Sequence, residues 1–179
     1  MKTKKTFQIL IALLSVYFLF VGTASAQTLD SYDEGVKRPP DVDDSKFDNF
    51  KNSSFDTYFN VCKLDVNLAK VEGNLLKYKE DKDNMDLKSL KDDVKALNEI
   101  KEAVPGLKNE LKELKGQGET MVKNAQNVKP KLKAPKAVNN TKKSVEVLDK
   151  ANERMGVLVE RQKTALKMAQ ELMGEEEGE

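Results

Sequence analysis

Residues 101–111 read KEAVPGLKNEL and set Pro105-Gly106 inside a stretch whose apolar residues keep helical spacing. The pair allows two folds. Either the chain reverses there and makes two short helices, or one long helix bends. The flanking apolar residues decide between them. Leu87, Leu90, Val94 and Leu97 begin a seam that slips by one residue to Ile100 and continues as Val104, Leu107, Leu111 and Leu114. A hairpin would be expected to reset the helical phase, yet the seam crosses the pair in step. Pro105 removes one amide donor and crowds the carbonyl of Lys101, which bends a helix held by packing on both sides. The expectation is one helix over 86–128, kinked at Pro105-Gly106.

Outward from this helix lie two turns. KEDKDNMD (79–86) precedes it, and KPKLKAPK (129–136), with two prolines, follows. Before the first turn, Phe47, Phe50, Ser54, Thr57, Val61, Leu64, Leu68, Val71, Leu75 and Tyr78 fall on one 3-4 seam. Phe55, Cys62, Ala69 and Leu76 make a line beside it. So wide a stripe suits a helix touching two neighbours. After the second turn, Val138, Thr141, Val145, Leu148, Asn152, Met155, Val159, Gln162, Leu166, Ala169 and Met173 repeat the pattern, flanked by Ala151, Leu158, Ala165 and Leu172.

Segments 46–82, 86–128 and 136–173 would be rods of about 55, 64 and 57 Å at about 1.5 Å per residue. Matched lengths argue again for an unbroken middle helix. The fold expected is all-α, an elongated, coiled-coil-like antiparallel three-helix bundle over 46–173. Asn152 and Gln162 on the expected core seam would fix helix register, because a misaligned partner leaves a buried amide unsatisfied.

The ends read differently. Lys2, Lys4 and Lys5 precede an uncharged apolar run, Phe7–Val21, and Ala24-Ser25-Ala26 follows. Residues 1–26 thus read as a signal peptide cleaved after Ala26, and as a helix the run would be short for a membrane span. Residues 27–45, acidic and broken by Gly35 and Pro39-Pro40, read as a flexible leader, with Ser45 the expected N-cap of the first helix. Gly174 should end the last helix and leave 174–179 as an acidic tail.

Composition narrows the function. Without the three lysines of the expected signal peptide, 28 of the 31 basic residues face 30 acidic ones, so no general nucleic-acid binder is implied. The chain has no His and a single Cys, so zinc, haem, Ser-His-Asp and intrachain disulfide readings have nothing to stand on. Asp41, Asp43, Asp44 and Asp48 fail as a calcium loop, since Lys46 and Asn52 occupy the positions that need Gly and Glu. Cys62 reads as a small apolar residue between helices. Asn52 and Asn139 begin N-glycosylation patterns.

No catalytic, cofactor or metal residue is assigned. Lys129, Lys131, Lys133, Lys136, Lys142 and Lys143 form the one candidate contact patch, for an acidic partner or an anionic surface. The expectation is an exported, periplasmic or cell-surface protein that is not an enzyme. It would act as a structural, adaptor or chaperone-like module, through a protein partner or self-association. The alternative is an exchangeable lipid carrier whose amphipathic helices open onto a membrane. Peripheral membrane contact is the less favoured reading.

Overall fold

The computed structural model describes residues 32, 33, 35–83 and 85–176; the expected signal peptide lies outside them, as do residues 177–179 of the tail. Among these residues three α-helices follow in order: α1, Ser45–Glu80; α2, Leu87–Ala125; and α3, Ala134–Glu176, which a short 3-10 turn at Lys131–Lys133 leads into. Each packs against the other two, with no strand among the described residues. They hold 36, 39 and 43 residues, or about 54, 59 and 65 Å of axis. Neighbours in sequence run antiparallel: Asn74 of α1 bonds Asp93 of α2, and Lys115 of α2 pairs with Asp149 of α3. Helices α1 and α3 are therefore parallel and begin at the same end.

The chain does not reverse at Pro105. α2 continues through it, with Pro105 and Gly106 on the exposed face and open space where a Cβ on Gly106 would point. Leu90, Leu97, Ile100, Leu111, Leu114, Met121 and Ala125 are buried, and half-buried Val104 and Leu107 carry the seam past the proline. Gly118 is buried where α2 meets α3. A Cβ there would lie 3.0 Å from Val145 Cγ2, so this glycine sets how closely the two helices approach.

The polar seam residues of α1 are satisfied within the helix. Ser54 and Thr57, both fully buried, donate to the carbonyls of Phe50 and Ser53 at 2.7 and 2.8 Å. Ser54 and Thr141 are also the third residues of the two glycosylation patterns, and each is buried inside its helix.

Four expectations need correcting. Asp44, not Ser45, caps α1, its carboxylate accepting from the Lys46 amide; Asp86 caps α2 in the same way. α3 does not stop at Gly174 but continues to Glu176. Asn152 is exposed. The centre of the α3 stripe lies one position over, on Leu148, Ala151, Met155, Leu158, Gln162, Ala165 and Ala169, because this helix packs on both neighbours along its length. Finally, the described part of the leader is no detached tail. Val42 is 2% exposed within the core, and Asp33, Arg38 and Pro40 bond to α1 and α3.

Candidate contact surface

Because α1 and α3 start together, a groove runs between them from that end, and the leader lies in it. At the end itself, Asp48 accepts the Val42 and Asp44 amides at 2.8 and 3.1 Å and fixes the turn into α1. Lys51, its side chain 2% exposed, pairs with Asp41. That bond holds the Asp41 carboxyl below the usual carboxylate range. From α3, Asn140 donates to the Pro40 carbonyl at 2.8 Å and Lys136 Nζ to the Asp41 carbonyl at 2.7 Å, while Lys133 Nζ lies 3.5 Å from Asp43 Oδ2. The four aspartates that resemble a calcium loop in sequence thus serve as caps and counter-ions.

Further along, Arg38 pairs with Asp56 at 2.6 Å, its guanidinium 5.9 and 6.0 Å from the ring centres of Phe55 and Phe59. Asp33 accepts from the Tyr58 hydroxyl and faces Arg154 at 3.8 Å. The Tyr58 bond lowers Asp33 against a smaller opposing effect of burial. Burial, and then the Asp33 carboxylate, push the Tyr58 phenol up. Phe55, Tyr58, Phe59 and Cys62 are all buried at this level.

Beyond Asp33 the α1–α3 boundary is a charge ladder. Arg154 Nη1 donates to Cys62 Sγ at 2.9 Å, and its Nε lies 3.9 Å from Asp65 Oδ2. Arg161 bridges Asp65 and Glu72, meeting Glu72 through both Nε and Nη2. Cys62 has no exposed surface, and burial pushes its thiol up despite the guanidinium.

The sequence patch is divided by this arrangement. Lys133 and Lys136 turn toward the leader, whereas Lys129, Lys131, Lys142 and Lys143 are exposed. Leu132, between two of these lysines, is 91% exposed at the tip of the turn. Arg154, Arg161, Asp65 and Glu72 escaped sequence reading, although a signal was there. Each pair is seven residues apart on the margin of its stripe, as charged residues flanking a coiled-coil seam are. No family model, curated protein or solved structure matches the chain.

Proposed function

We propose that the chain is an exported, non-enzymatic helical bundle that binds a protein partner along its length, as a structural, adaptor or chaperone-like module. The observation that carries this reading is the set of polar locks between helices. Arg161 ties α3 to α1, and Gln162, 5% exposed, donates to the Leu97 carbonyl of α2 at 3.2 Å. Adjacent residues of α3 thus hold both partners in one register. Opening the bundle onto lipid would break both locks and put the Gln162 amide against acyl chains, where it finds no partner. A closed bundle offers a partner its outer faces and the exposed lysines 129, 131, 142 and 143.

Exposed Leu132 among lysines favours a second reading, a peripheral touch on an anionic membrane by the turn alone. Flotation with anionic vesicles separates the two. The protein should stay at the bottom of the gradient with its helix content unchanged. Stoichiometric flotation surviving about 0.5 M salt, which screens purely electrostatic association, would make lipid binding the function. Crosslinking in the native envelope should capture a discrete protein.

Export is part of the proposal, supported by the basic start, the apolar run and Ala24-Ser25-Ala26. N-terminal sequencing of the native protein should begin at Gln27. A chain beginning at Met1 would show that the segment is retained.

A further inference from the structure

The chain enters α1 through a reversal. Arg38 meets Asn52 and Asp56, Asp41 meets Lys51, and the Val42 amide meets Asp48, so this part of the leader runs antiparallel to α1. The turn between them passes through Asp43, whose φ of 58° lies in the left-handed region that favours glycine. Its carboxylate is 84% exposed and meets the Lys133 ammonium at 3.5 Å.

The groove under this segment is specific for what lies in it. Asp56 and the faces of Phe55 and Phe59 receive the Arg38 guanidinium. The Lys51 ammonium, its side chain 2% exposed, takes the Asp41 carboxylate. Asn140 and Lys136 donate to the main-chain carbonyls of Pro40 and Asp41. Pro39 and Val42 are buried between these anchors. All of the anchors belong to α1 and α3, the two helices that begin at this end. The groove therefore selects an extended segment with a guanidinium and, three residues later, a carboxylate, and the proline pair holds that segment extended beforehand. Every copy of the chain carries one, in Arg38-Pro39-Pro40-Asp41.

We propose that the groove between the starts of α1 and α3 is a docking site for the leader of a second copy, with Asp43 the hinge that directs each leader into its own groove or its neighbour's. Straightening the chain at residue 43 releases the left-handed conformation and leaves the helices as they are. Two copies then exchange leaders about a two-fold axis, and each groove remakes the same contacts. The exchange joins the bundles at the end where Leu132 is 91% exposed. A copy's own leader has the advantage of its short tether, an effective concentration on the order of millimolar, and the strain at Asp43 works against that advantage. This contact needs no other protein, so capture of a partner by crosslinking tests the function proposed above and not the exchange.

Sedimentation equilibrium of the full chain, with helix content followed by circular dichroism, measures the exchange. The native chain should be mostly single below about 0.1 mM and half-associated near about 1 mM. Asp43→Gly makes the turn without strain and should weaken the dimer at least about fivefold. Asp43→Pro, fixed at a φ near about −65°, cannot make the turn and should tighten the dimer at least about a hundredfold. Both variants lose the Asp43–Lys133 pair, so the difference between them reports the backbone alone.

Charge reversal identifies the contact. On the Asp43→Pro background, Arg38→Asp in one sample and Asp56→Arg in another should each weaken the dimer at least about tenfold. An equal mixture of the two should associate at least about tenfold more tightly than either alone, since each leader then meets an opposite charge in the other copy's groove. Asp43→Pro with native helix content but still single at about 1 mM would overturn the exchange. A mixture that associates no better than its components would place the contact outside the groove and overturn it as well. Should Asp43→Pro lose its helix content, the native chain against Asp43→Gly decides, and equal association of those two sinks the proposal.

Discussion

Tyr58 and Asp33 join the leader to α1 through a bond whose two ends shift in opposite directions, and this gives the fold a pH signature. The Asp33 carboxyl is held down chiefly by the Tyr58 hydroxyl, so the folded chain binds that proton less tightly than the unfolded one. Its stabilisation is present above the ordinary carboxylate value of about 3.9 and fades as pH falls through the lower folded value. The Tyr58 phenol is raised, so its contribution is full below about 10 and is lost as pH rises beyond that. Tyr58→Phe should cost about 1–2 kcal/mol at pH 7, because a partly exposed carboxylate loses its hydroxyl donor but keeps Arg154 nearby. Urea midpoints from pH 3 to 11 should then vary less at both extremes than those of the native chain. Parallel profiles for the two proteins would mean that the bond contributes nothing. Tyr78 is also raised, so the difference between the proteins is what carries the result. Of the residues at this level, the sequence marked Cys62 as buried and offered no sign that Asp33 reaches Tyr58 or that Arg154 reaches Cys62. Those contacts join positions 25 and 92 residues apart.

At the scale of the helices, the apolar period alone placed three elements, with boundaries within three residues of those observed. It also settled the reading of Pro105, since a seam that stays in phase leaves no room for a hairpin. The bend itself is a separate proposal. Pro105 is exposed, so its removal opens no buried cavity. Pro105→Ala should therefore raise stability, by up to about 3 kcal/mol, or leave it unchanged. Residual dipolar couplings fitted separately to 87–100 and 107–125 should give axes more than about 20° apart in the native chain and less in the variant. Collinear halves in both would show a helix that absorbs its proline without bending. Asn152 shows where periodicity fails. A wide stripe on a helix with two partners has no single central line, so a one-residue error moves a polar side chain from core to surface.

Across the whole molecule, the leader is part of the packed fold. Val42 is inside the core, and Arg38, Asp41 and Asp33 each anchor the segment to α1. A chain beginning at residue 45 should unfold at a lower urea concentration and bind a hydrophobic dye that the longer chain ignores, as Phe55, Tyr58 and Phe59 lose their cover. Equal stability and no dye binding would show the leader to be dispensable. By itself the sequence determined the three helices of the described residues, their bounds to within three residues and the unbroken middle rod, because those depend on neighbours three and four residues apart on one surface. Only the tertiary structure decided that the leader packs and that Arg154 and Arg161 meet Cys62, Asp65 and Glu72. The leader has no period to read, and its attachment rests on polar groups of α1 and α3 that come together only once those helices lie parallel. The charge ladder depends on the relative rotation of whole helices, which packing sets and local sequence does not.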